Sequence, residues 1–196
     1  MQHRIPGQSA HEQDGRGPDD DAGLSAELAA VVAAARRRAV RDGDRQIDTA
    51  HLLHTLLESD PEVRAAFDGG PRIVRLLGYL VQRSIGYGLR WQGTVEDSGA
   101  LPLVTAAEAA GAVAAGPPRG GAVAAGSGTD GCSPAASAAL EFARDRAARR
   151  GDHRARGLDL LAAVVADPGA RAVEVLARAG IDPRELAARV DNDADG

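Results

Sequence analysis

The 196-residue sequence contains no lysine, and its 23 basic residues are all arginine. A Walker-type phosphate loop needs a lysine to reach the β- and γ-phosphates, and Schiff-base catalysis needs a lysine amine, so both chemistries are excluded. Cysteine occurs once, at Cys132, which rules out an intrachain disulfide and a cysteine-rich zinc site. Aromatic residues are 3% of the chain, so a core has to be built from Ala, Val, Leu and Ile, a palette suited to closely packed helices. Positive charge is also short: the net charge of -5 argues against broad nucleic-acid binding, which depends on neutralising phosphates. No apolar run reaches membrane-spanning length, and residues 1–23 lack the apolar stretch of a signal peptide, so a cytoplasmic setting is expected.

What remains is helical periodicity interrupted by biased segments. Residues 1–23, with the acidic run Asp19, Asp20 and Asp21, show no hydrophobic period and read as a disordered tail. Residues 93–131 are rich in Gly, Ala and Pro and read as a flexible linker, with one Ala-rich piece at 105–115 able to form a short helix. Residues 191–196 read as a loose acidic tail. Between these, Leu28, Val31, Val32, Ala35 and Ala39 fall on one stripe, and Leu52, Leu53, Leu56 and Leu57 on another. The second half repeats the arrangement with Ala136, Leu140, Ala143 and Ala147, then Leu158, Leu161, Val164 and Val165.

Asp60-Pro61, Ser133-Pro134, Asp167-Pro168 and Asp182-Pro183 each put a capping oxygen before a proline suited to a first helical turn. Glu185 would complete a capping box with Asp182, and Gly43, Gly151 and Gly180 stand where helices should stop. The spacing predicts helices over 25–41, 48–58, 61–67 and 71–84, then 134–150, 157–166, 168–179 and 183–190. An offset of 108 residues brings Ser25 onto Ser133, Arg36 onto Arg144, Arg38 onto Arg146, Gly43-Asp44 onto Gly151-Asp152 and Leu52-Leu53 onto Leu160-Leu161. Two related four-helix units, at 24–92 and 132–190, are expected to pack together as an all-α protein.

The residues carrying this pattern are Leu24-Ser25 before an Ala-rich helix, Ala39-Val40-Arg41-Asp42-Gly43, Ile47-Asp48-Thr49-Ala50-His51-Leu52-Leu53, and Val175-Leu176-Ala177-Arg178-Ala179-Gly180-Ile181-Asp182. Through them the chain resembles the double Clp-N repeat at the front of the ClpA, ClpB and ClpC unfoldases, as a free-standing version without the ATPase modules. The resemblance implies a non-catalytic protein or peptide binder acting in Clp-dependent proteolysis as adaptor, substrate-recognition or ligand-sequestering protein. It also implies Ser25, Ser133 and Thr49 as partner-binding positions. In ClpC-type domains a Glu after the Thr of each Thr-Glu-His element helps bind phosphorylated arginine; Ala50 and Leu158 stand at those places here.

Three further groups invite a chemical reading. His51 and His54, with Asp48 a turn earlier, have a spacing that can present ligands to a metal, but HExxH is absent and a structural role is favoured, so no metal or cofactor is expected. Cys132 precedes a helix start, where thiol pKa values fall, yet nothing in sequence supplies an oriented base. Arg36-Arg37-Arg38 and Arg144, Arg146, Arg149 and Arg150 put guanidinium groups on helix faces. Arg36 and Arg144 are therefore added to the partner-binding candidates, and a DNA-associated regulator is the alternative reading, against a solvated face with intrachain pairing.

Overall fold

The computed structural model describes residues 22–67, 70–84, 96 and 131–194. Most of the expected tail, the expected linker apart from Glu96 and Gly131, and the expected short helix at 105–115 lie outside the described residues. Among the described residues there are eight helices and two isolated parallel bridges, an all-α protein. In chain order the helices are α1 (Ala26–Asp42), α2 (Thr49–Ser59), α3 (Pro61–Ala65), α4 (Gly70–Ser84), α5 (Pro134–Arg149), α6 (Gly157–Ala166), α7 (Arg171–Arg178) and α8 (Pro183–Ala194). None is long and apolar enough to cross a membrane.

Local chemistry explains most of the boundaries. Ser25 and Ser133 cap α1 and α5 in the same extended backbone (φ −68°, ψ 160° and φ −67°, ψ 158°), each accepting from the N–H three residues on. The stops at Gly43, Gly151 and Gly180 all have positive φ, between 76° and 83°, a region glycine enters without strain. Asp60 Oδ1 accepts from the Glu62 and Val63 N–H groups and starts α3 as expected.

Two expectations need correction. Asp167-Pro168 opens a turn, with Asp167 Oδ1 accepting from Gly169 N–H, and α7 begins only at Arg171 behind Ala170, which has no capping side chain. The segment from Asp191 is not a loose tail at its start: α8 continues to Ala194, and Asp191 pairs with Arg146 at 2.7 Å. Of the expected box at Asp182 and Glu185, the described bond is Asp182 Oδ1 accepting from Arg184 N–H.

The core is one contiguous cluster drawing on both halves, with Leu28, Leu52, Leu53, Leu56, Leu140, Leu160, Leu161 and Leu176 fully buried. Each such leucine contributes about 1.5–3 kcal/mol through removal from water. At its centre α2 and α6 touch each other, and both are buried nearly all round: Thr49 through Leu57 on α2, and Gly157 through Val165 except Leu158 on α6. The halves cross reciprocally beside these two helices. Leu24 bridges to Ala155, and Ile47 to Cys132, each bridge closed by a pair of backbone hydrogen bonds of 2.7–2.9 Å. This placement leaves the N-termini of the two central helices inside the protein, where their free N–H groups must find acceptors.

Candidate binding site at the junction of the halves

At the N-terminus of α2 the acceptors come from three directions. Asp48 caps the helix, its Oδ1 accepting from His51 N–H at 2.9 Å while His51 Nδ1 accepts from Asp48 N–H at 3.1 Å. The next free donor, Thr49 N–H, goes to the carboxylate of Glu96, which is only 4% exposed. Glu96 Oε2 accepts from Thr49 N–H at 2.9 Å and from Ser133 Oγ at 2.9 Å, and Oε1 accepts from Arg171 N–H at 2.7 Å and from Thr49 Oγ1. Thr49 Oγ1 in turn accepts from Ala172 N–H at 3.1 Å.

The logic follows from the α7 boundary. Ala170 cannot cap α7, so its first two free N–H groups are served by Glu96 and Thr49, residues remote in sequence. Two helix N-termini and two hydroxyls, each 1% exposed, thus converge on one carboxylate. The positive ends of the α2 and α7 dipoles favour a negative charge there.

The Asp48 carboxylate anchors the layer behind this cradle. Arg171 Nη1 lies 2.7 Å from its Oδ2, and Arg83 donates to the same oxygen. Burial alone would raise the Asp48 pKa; hydrogen bonds from His51 and Arg171 and the charge of Arg83 outweigh it and hold the acid well below the usual carboxylate range. Asp44, Asp48 and His51 bring three potential ligand atoms together, but the cation on Asp48 is a pair of guanidiniums, and Arg83 also reaches Asp44 at 3.2 Å. The histidine pair read from the sequence is divided: His54 faces Glu58 at 3.3 Å, not the Asp44–Asp48–His51 cluster. Asp44 and Asp48 thus pair with arginine, and His51 is hydrogen-bonded to Asp48.

An open groove adjoins the cradle. It encloses about 330 Å³ between α5, the end of α6 and the 167–170 turn; Ala135, Ala139 and Val164 give it an apolar floor, and Thr49 and Ala170 close the end nearest Glu96. Phe142 stands on its rim, 41% exposed, with Arg149 stacked 5.5 Å from the ring centroid.

Of the five partner-binding candidates, Thr49 and Ser133 meet in the cradle. Ser25 sits at the other crossing, where its N–H donates to the Ala155 carbonyl. Arg36 is exposed beside Gly131, and Arg144 donates to the Ala22 carbonyl at 3.0 Å. The neighbouring arginines are engaged inside the chain, Arg38 with Glu58, Arg146 with Asp159 and Asp191, and Arg150 with Asp152 and Asp159. Cys132 is buried in the bridge to Ile47. Sequence reasoning missed Glu96, Arg83 and Arg171; the only local hint was an acid following Val95 in a stretch otherwise dominated by small residues.

Neither a protein-family profile nor a curated protein sequence matches the chain. Solved structures do. One, from structural work on a malarial protein secretion system, superposes with a TM-score of 0.55 at 12% identity, covering 88% of this chain and 95% of that one. The N-terminal domain of the caseinolytic-protease-associated chaperone ClpD from Arabidopsis thaliana superposes with a TM-score of 0.53 at 15% identity, covering 89% and 96%. At such identities the likeness is one of fold: the chain has a Clp-N-like all-α architecture.

Proposed function

We propose that this chain is a non-catalytic protein- or peptide-binding module of the Clp N-domain kind, serving as adaptor, substrate-recognition or ligand-sequestering protein in Clp-dependent proteolysis. One observation carries the reading: an open, mostly apolar groove of about 330 Å³ lies between α5, the end of α6 and the 167–170 turn, with Thr49 of the other half and the carboxylates of Glu141, Asp145 and Asp167 as its polar groups. Pockets that bind ligands combine an apolar lining with a few convergent polar groups, and this groove has that composition. The fold shared with the ClpD N-terminal domain supports the same reading. The DNA-associated alternative has less support, because Arg38, Arg146 and Arg150 already pair with carboxylates.

The test is a crosslinking pull-down with the full chain and with Ala138→Trp, which fills the groove from a half-buried position outside the core. The wild-type chain is expected to enrich Clp ATPase or protease subunits, or their substrates, and the Trp variant to lose most of that enrichment. Equal recovery by both, or no Clp component with either, overturns the reading.

A further inference from the structure

The α5–α6 groove carries acids that the rest of the chain leaves unanswered. Glu141 and Asp145 stand one turn apart on α5, beside the row formed by Ala138 and Phe142, and Asp167 faces them from beyond the end of α6. Among the described residues no arginine lines this groove. Elsewhere Asp48, Glu58, Asp159, Glu174 and Asp191 each pair with an arginine. Glu141 and Asp145 are exposed and, among the described residues, have no such partner. Arg149 stands four residues after Asp145, a spacing that allows a helix-surface pair, yet it is stacked on the Phe142 ring instead. Asp167 gives Oδ1 to the Gly169 N–H and has no basic partner either. The repeat does not impose this pattern: 108 residues earlier, Ala33, Ala34 and Arg37 take the places of Glu141, Phe142 and Asp145.

We infer that the groove receives a basic peptide segment, one that carries arginine or lysine beside an apolar residue. The apolar side chain enters over Ala139 and Val164, and the cations face Glu141 and Asp145. This inference deepens the binding-module reading and rests on it. Charge complementarity selects the occupant: three carboxylates around an apolar floor attract a basic segment and repel an acidic one, and they turn nucleic acid away. A volume of about 330 Å³ is at the low end for ligand pockets and suits a few side chains of a peptide. Because Glu141 and Asp145 are solvated, each cation pair is worth up to about fivefold in affinity, and contact with the floor and Phe142 supplies the rest.

The experiment separates charge from apolar contact. A labelled peptide Ser-Ala-Arg-Leu-Ala-Arg-Ala-Ser is compared with one whose arginines are replaced by citrulline, a neutral isostere, and with one whose leucine is replaced by serine. Fluorescence anisotropy measures all three against the full wild-type chain, Ala138→Trp and Glu141→Gln/Asp145→Asn. Glu27→Gln/Glu62→Gln removes the same charge from exposed acids of the first half and serves as the control. The arginine peptide is expected to bind the wild-type chain roughly tenfold more tightly than the citrulline peptide. That preference should vanish in Glu141→Gln/Asp145→Asn and at about 1 M salt, and persist in the control. Ala138→Trp and the leucine replacement should each weaken binding severalfold or more. No binding of the arginine peptide, equal binding of the arginine and citrulline peptides, or an equal loss in the control overturns the inference. Should the double variant fail to fold, Glu141→Gln alone carries the same comparison. Cation-selective binding combined with a pull-down lacking Clp components leaves the basic-peptide groove standing without the Clp role; the reverse result removes the basic-peptide preference alone.

Discussion

Where Ile47 meets Cys132, the space between the halves holds the carboxylate of Glu96; where Leu24 meets Ala155, the corresponding space holds Asp60. The two crossings are made by residues 108 positions apart with almost the same backbone: Asp48 and Arg156 precede α2 and α6 at φ −107°, ψ 174° and φ −108°, ψ 173°. They differ in what fills them. At the first crossing Thr49 offers a hydroxyl and the acid arrives from a distant part of the chain. At the second, the residue matching Thr49 is Gly157, and a Cβ there would collide with Asp60 Oδ2 and approach Val63 Cγ2 to 3.2 Å. Asp60 is the cap of its own helix α3, so the residue filling the second crossing is already committed to its neighbours.

The charge layers behind the crossings are also inverted. The first has Asp48 as cap with His51 a turn later; the second has Arg156 as cap and Asp159 a turn later, accepting from Arg156 N–H at 2.9 Å. Asp159 takes Arg146 and Arg150 from α5 and its end, whereas Asp48 takes Arg83 from α4 and Arg171 from the opposite half. Burial would raise the Asp159 pKa, but the Arg150 hydrogen bond, the Arg156 N–H and the charges of Arg150 and Arg146 lower it.

The largest expected effect that separates the two layers is on stability. Asp48→Ala removes the α2 cap and leaves two largely buried guanidiniums facing each other, an expected loss of about 3–5 kcal/mol. Asp159→Ala, whose arginines are more exposed, should cost about 1–3 kcal/mol. Denaturant midpoints at constant slope read the difference, and equal losses would mean that the inversion has no energetic consequence.

Next comes the space itself. Gly157→Ala should destabilise by about 1–3 kcal/mol by forcing Asp60 off its cap, seen as faster amide exchange at Glu62 and Val63. Unchanged exchange there would show that Asp60 does not close the second crossing.

The smallest effect is in acid. Burial, then the charge of Arg38, lowers the His54 pKa from its ordinary 6.5 to about 4, against the opposing pull of Glu58 and Asp42. Between these values the unfolded chain binds a proton that the folded chain refuses, so stability falls as pH drops from 6.5 towards 4 and is unaffected by this group above 6.5. The position 108 residues on is Ala162, so only the α2 side should respond. In pH-dependent melts His54→Gln should flatten this slope, and an unaltered slope would assign it to other groups.

Much of the fold was legible because it is local. Seven of the eight helix starts lie within about a residue of positions marked by Ser, Asp, Pro or apolar periodicity, and Gly43, Gly151 and Gly180 stop helices through their own backbone preference. The misread start at Asp167-Pro168 was local evidence that tertiary packing overrode: the Asp there makes a turn, and α7 waits for acceptors that Glu96 and Thr49 provide. Thr49 and Ser133 were marked as partner-binding positions through resemblance, and the structure brings them onto one carboxylate, whereas Ser25, Arg36 and Arg144 lie elsewhere.

By itself the sequence determined the helix class, the aliphatic core and the absence of lysine and disulfide chemistry, since composition, period and capping act over a few residues. Only the tertiary structure decided that the central helices begin inside the protein, and that Glu96, Arg83 and Arg171 answer the donors and the acid exposed there. The physical reason is that a buried N–H or carboxylate takes whichever partner the packing brings within 3 Å, and separation along the chain does not enter that choice.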